Sequence, residues 1–214
     1  MSDKKATIAI VTGAKEGGKT FTAKEIVSMH PRILVVDPHG SEFDLPGRVT
    51  VRNAAELGKA IQANKANPTF LIVYSPEFDV GAASETIAGL AFASGRCLVV
   101  FDEAHGYMSA SKIGPHLGRL VRQARHSEVN VVLCSPRLAD ISTDVRTQAD
   151  CLIVCGPLWV ARDLDALEEN TSTEFRRAAQ EPMKRGEYRR IGFDTRAREQ
   201  FNVTRQELRG LFRQ

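Results

Sequence analysis

Gly13-Ala14-Lys15-Glu16-Gly17-Gly18-Lys19-Thr20 satisfies every required position of the phosphate-loop pattern G-x-x-x-x-G-K-[ST]. Its flanks are the context such a loop needs. Residues 6–11, Ala-Thr-Ile-Ala-Ile-Val, read as a short buried strand, and residues 21–29 open a helix with Phe21, Ile26 and Val27 on a helical period. Glycines let successive backbone N–H groups turn inward around a phosphate, and the adjoining helix points its positive end at the same anion. Lys19 is expected to reach the β- and γ-phosphates, and the Thr20 hydroxyl to ligate Mg²⁺. The candidate nucleotide contacts are therefore Gly13, Ala14, Lys15, Glu16, Gly17, Gly18, Lys19, Thr20 and Phe21. A glycine-rich turn matching by chance would lack the strand before it and the helix after it.

Outward from the loop, strand and helix alternate. Apolar runs at 32–37, 49–51, 69–74, 97–101, 129–134 and 151–155 predict strands, and helical periods fall at 54–64, 84–94, 113–125 and 143–148. Continuous apolar strands between helices predict a mainly parallel central sheet covered on both faces, an α/β fold of the P-loop NTPase type. Past Gly156-Pro157 the pattern weakens. Helices are expected at 160–167, 172–180 and 204–213, with a strand at 187–193. Residues 1–157 thus read as the P-loop core, and 158–214 as a basic extension packed on or beside it.

The chain has 214 residues and a net charge of +3, which hides an asymmetry. Residues 176–214 hold 11 Lys and Arg against 5 Asp and Glu, or +6; the first 175 hold 18 against 21, or −3. A basic end on a nucleotide-binding body suits an anionic polymer, or else is a solvated helical face. No run approaches the ~20 apolar residues of a membrane span, and no secretion signal is expected ahead of the first strand. Cys97, Cys134, Cys151 and Cys155 lie in apolar strand segments without zinc-site spacing and are expected to be buried thiols.

A phosphate loop that drives hydrolysis needs a second acidic site. The 97–101 strand runs into Asp102-Glu103. Asp102 is expected to hold Mg²⁺ opposite Thr20, and Glu103 to polarise the attacking water. An adjacent acid separates a hydrolysing ATPase from a simple kinase. Asp102-Glu103-Ala104-His105 also spells a helicase signature, but that class needs two tandem motors, so the match at His105 is taken as accidental.

In combination, the loop, Val35-Val36-Asp37-Pro38-His39-Gly40 on the second strand and Asp102-Glu103 resemble the HerA/FtsK superfamily of DNA-pumping ATPases. The stretch from Gln123 to Ile141 is similar to that family's Gly-Arg element, strand and Thr-Gln-Arg-Pro run; Val145 to Asp150 resembles the segment before its last core strand. The likeness spans roughly residues 6–155 by the order and spacing of motifs. It implies an ASCE/RecA-like core binding ATP and Mg²⁺ and a homo-oligomeric ring, by expectation a hexamer. Among small members it resembles genome-packaging ATPases of membrane-containing viruses, implying double-stranded DNA and capsid vertex proteins as partners, in the host cytoplasm or with the virion. Arg125 matches the family's Gly-Arg arginine and is the expected arginine finger, lent to the phosphate site of a neighbouring subunit, or else a cap on its own helix C-terminus, with Arg122, Arg137 and Arg146 as weaker candidates. Ala124 replaces the family glycine, and Pro136 falls where a glutamine senses the γ-phosphate; Ser135 or Gln148 are the possible substitutes. The basic side chains expected on DNA are Lys184, Arg185, Arg189, Arg190, Arg196 and Arg198. Two other classes stay open: an ATPase that remodels a protein partner without gripping DNA, and a small-molecule kinase.

Overall fold

The apolar runs on either side of the phosphate loop become the middle of one sheet. In the computed structural model, which describes residues 6–109, 113–182 and 188–212, the strands are β1 (Ile8–Thr12), β2 (Arg32–Val36), β3 (Val49–Val51), β4 (Phe70–Tyr74), β5 (Cys97–Phe101), β6 (Val129–Ser135), β7 (Cys151–Cys155), β8 (Arg190–Asp194) and β9 (Glu199–Asn202). They form a single sheet in the order β3-β4-β2-β5-β6-β1-β7-β8-β9. The first seven are parallel; β8 and β9 pair antiparallel at one end. The inner strands β1, β5, β6 and β7 are buried along their whole length, because helices cover both faces.

Successive side chains divide between the faces. Ile8 and Ile10 join the larger core, with residues from α2 (Ala54–Asn64), α3 (Val80–Ser94), α4 (Pro115–Gln123), α5 (Thr143–Arg146), α6 (Ala161–Asn170) and α7 (Thr173–Gln180). Ala9 and Val11 join the smaller core, with Ala23, Ile26 and Val27 of α1 (Lys19–Val27) and Leu208 of α8 (Arg205–Leu211). The four cysteines are buried and unpaired with one another.

The sheet runs on through residue 157: residues 158–212 supply β8 and β9, two helices on one face and α8 on the other. Element bounds shift by a few residues at several places, and three of the differences have a local cause. α3 starts four residues early, at Val80, because Asp79 caps it by accepting from the Ala82 N–H at 3.0 Å. α4 stops at Gln123, and Ala124–Ser127 continue as a 3₁₀ turn. β9 is not expected from Glu199-Gln200-Phe201-Asn202, whose one apolar side chain carries no strand signal; pairing with β8 makes it a strand.

Candidate active site

Because every parallel strand points the same way, the segments leaving β1, β2, β5 and β6 gather at one sheet edge. The phosphate loop leaves β1 there. Gly13 and Gly18 have φ of 148° and 98°, and Glu16 also takes a positive φ of 63°. The glycines at 13 and 17 answer to the scaffold as well as to a phosphate: a Cβ at either would lie 2.1 or 2.5 Å from the Cys155 carbonyl oxygen at the end of β7. Gly18 caps α1 without a side-chain acceptor, so the first N–H groups of that helix face outward. Lys19 Nζ donates to the carbonyls of Gly13 and Ala14, both at 2.9 Å, which holds the ammonium over the loop.

Two strands away, at the tip of β5, lies Asp102. β6 stands between, with Phe101 and Ile10 both level with Leu133. Strand spacing puts the β5 and β1 tips roughly 10 Å apart, a gap that a phosphate and a cation can span. Cys134, on the intervening strand, feels the charges of both Asp102 and Lys19. Asp102 is 3% exposed, and burial, then the neighbouring Glu103 carboxylate, push its pKa from 3.8 to about 6. Glu103 has a φ of 51° and remains partly exposed, with its Oε2 3.3 Å from His105 Nδ1. That contact is legible only in three dimensions; His105 has no role in the motif reading, yet it stands beside the candidate base.

Asp37 is fully buried. Its Oδ1 accepts from the His39 and Gly40 N–H groups at 3.1 and 3.0 Å, and its Oδ2 from Phe43 at 3.1 Å. It shapes the Asp-Pro-His-Gly loop at the same edge. Ser135, at the tip of β6, is level with Thr12 and exchanges hydrogen bonds with the Arg137 backbone. No motif singles out Thr12, but its buried hydroxyl, at the start of the loop, has no hydrogen-bond partner among the described residues. A polar residue closing an apolar strand is the one signal the sequence holds for it.

Several expected site residues are elsewhere. Gln148 precedes β7 and lies at the opposite edge, roughly 20 Å along the strands from the loop, so it is not a γ-phosphate sensor within this chain. Arg125 precedes β6 and is at that far edge too. Its guanidinium donates to Asp150 Oδ1 at 2.5 Å and to the Gln148 carbonyl at 3.1 Å. Asp150 also receives Arg196 Nε at 2.6 Å and the Ile8 N–H at 2.9 Å. The structure thus gives Arg125 a partner the sequence does not suggest, and keeps it out of its own chain's phosphate site. Arg137 is 3.1 Å from Asp163, Arg146 donates to the Ile141 carbonyl at 2.7 Å, and Arg122 is exposed on α4.

Of the side chains expected on DNA, Lys184 and Arg185 lie outside the described residues. Arg189 pairs with Glu181 at 2.6 Å, Arg190 with Glu25 at 2.5 Å and Arg196 with Asp150; Arg198 donates to the Thr171 carbonyl. Much of the positive charge of this end is therefore met within the chain.

The loop on a helix N-terminus, an acid-tipped strand and a third strand inserted between them define the P-loop NTPase fold. Solved structures agree. B204, the genome-packaging NTPase of Sulfolobus turreted icosahedral virus 2 in complex with ATP-gammaS, superposes with a TM-score of 0.70 at 17% identity, covering 95% of this chain and 98% of that one. B204, the DNA-packaging ATPase of Sulfolobus turreted icosahedral virus, gives 0.70 at 19%, covering 94% and 98%. VirB4 of Thermoanaerobacter pseudethanolicus gives 0.56 at 11%, covering 95% and 90%. At these identities the likeness is one of fold. No protein-family model matches the chain, and no curated protein does.

Removing the Asp102 charge should stabilise the nucleotide-free protein. A carboxyl whose folded pKa lies above its unfolded value contributes stability that is complete below about pH 4 and lost as the pH rises through about 6. At about 1.36 kcal/mol per pH unit, the ionised form costs roughly 3 kcal/mol at pH 7. Asp102→Asn is expected to melt several degrees higher than wild type at pH 7.5 and near wild type at pH 4, while losing hydrolysis. Equal melting temperatures at pH 7.5 would show that Asp102 carries no such burden.

Proposed function

We propose that the chain hydrolyses ATP, and that it does so as a ring-forming motor that moves double-stranded DNA into a viral capsid. The observation carrying the ATPase reading is that the loop with Lys19 and the open α1 N-terminus leaves β1 at the same sheet edge at which Asp102 and Glu103 leave β5. Support for the packaging reading is the fold shared along nearly the full length with proteins described as packaging ATPases. The ring, the hexameric state and the capsid partner rest on the sequence resemblance. No helix among the described residues is long and apolar enough to cross a membrane.

The Thr20 hydroxyl and the Asp102 carboxylate suit Mg²⁺, which takes few protein oxygens and completes its shell with water and phosphate. When bound, the ion would neutralise charge on the β- and γ-phosphates. Lys19 would neutralise the same oxygens from the loop side, and the α1 N–H groups would hold them in register. Glu103 would accept a proton from the water that attacks the γ-phosphorus in line, while the bond to the bridging oxygen of ADP breaks.

DNA should raise turnover and bind with a strong salt dependence. Each neutralised duplex phosphate contributes a log–log slope of roughly −0.9, so six contacts would give about −5. With Arg189, Arg190, Arg196 and Arg198 engaged within the chain, the expected slope is shallower than −5. This engagement also gives the protein-remodelling alternative its footing. Turnover unchanged by any nucleic acid would favour that alternative.

A further inference from the structure

The cavity at the phosphate loop is larger than a triphosphate needs. It encloses about 640 Å³ and is lined by the loop residues Glu16 to Thr20 together with Phe21, Tyr188 and Arg190. A single exposed apolar side chain is ordinary; exposed rings gathered on one concave surface mark a binding site. Here Phe21 is 66% and Tyr188 is 77% exposed, and both border this one cavity. Tyr188 comes from just before β8, far from the loop in sequence; its Cδ1 is 3.9 Å from the place a Cβ on Gly18 would take. Arg190 is fixed between two partners. It pairs with Glu25 of α1 at 2.5 Å, and its guanidinium lies 5.4 Å from the centre of the Phe21 ring. Both members of that pair are mostly buried, with side-chain exposures of 18% and 15%. The ion pair therefore ties β8 to α1 and sets the guanidinium against the Phe21 ring in the cavity lining.

The geometry points to Phe21 and Tyr188 as the seat of the nucleobase, with Arg190 a positioning residue that braces Phe21 against Glu25. The assignment rests on the ATP reading and deepens it. An anion alone is served by Lys19 and the α1 N–H groups. Two exposed rings continuing the same cavity fit a ligand that carries a flat aromatic group beyond its phosphates. Stacking of a base on an aromatic side chain is worth about 1–3 kcal/mol, roughly 5- to 150-fold in affinity.

Binding of Mg·ATPγS and of Mg·tripolyphosphate to the full chain separates the base from the phosphates. Tyr188→Ala and Phe21→Ala are expected to weaken Mg·ATPγS about tenfold and leave Mg·tripolyphosphate within twofold, with Tyr188→Phe close to wild type. Arg190→Ala should give a smaller loss of the same kind. Both rings are exposed, so Tyr188→Ala and Phe21→Ala should melt near wild type. Equal losses on both ligands, or no loss on Mg·ATPγS, would overturn the seat while leaving the ATPase reading intact. Wild-type protein that binds neither ligand would overturn both. Rings that serve a protein neighbour instead would leave both affinities unchanged in the variants, and so count against the seat.

Discussion

Glu103→Gln should bind Mg·ATP as wild type does and hydrolyse it at least ~100-fold more slowly, the usual scale for a lost general base. The substitution is close to isosteric, so the αL backbone at φ 51° and the 3₁₀ turn after it should persist. The acceptor for the water's proton is lost. Lys19→Ala makes the contrast, since it removes the charge that holds the β- and γ-phosphates and should abolish tight binding. Nucleotide affinity from equilibrium titration and turnover from phosphate release separate the two. Comparable turnover in Glu103→Gln would remove Glu103 from the catalytic role and move attention to other groups on this edge, His105 and Asp37 among them.

Arg125→Ala is expected to lower stability and to leave hydrolysis per folded molecule within a few fold. Its guanidinium meets a buried carboxylate at the sheet edge away from the loop, and Asp150 is 5% exposed by side chain while Arg125 is 30% and Arg196 is 48%. The arginines reach water, so their pairing is worth less than a fully buried bridge. Asp150→Ala should cost more. It removes the carboxylate that Arg125 and Arg196 share and leaves the buried Ile8 N–H of β1 without its acceptor, a loss of about 2–3 kcal/mol in all. For a chain of this size that is a melting temperature lower by roughly 4–12 °C. The competing role, a finger reaching a neighbouring subunit, predicts in addition a loss of about 10³–10⁵ in turnover. Recovery of activity on mixing Arg125→Ala with Lys19→Ala protein would then establish it, since the competent interface would take Lys19 from one subunit and Arg125 from the other.

The sequence by itself determined the phosphate loop, the order of the first seven strands along the chain and the acid at the tip of β5. Each of these is written in contiguous residues: the spacing of glycines, an apolar run five residues long, a carboxylate at its end. Parallel strands then bring their C-terminal tips together whatever the side chains between them, so Thr20 and Asp102 share an edge by topology. Partners were another matter. Arg125 matches a motif, yet Asp150 takes it, 25 residues on. Arg190 reads as one cation in a basic tail, yet Glu25, 165 residues away, draws it to the nucleotide cavity. β9 carries no strand pattern and exists because β8 offers it an open edge. A long charged side chain meets whichever opposite charge the fold brings within reach, and that neighbour is set by chain crossings distant in sequence. Only the tertiary structure, for that reason, turned a basic tail into one wall of the nucleotide cavity.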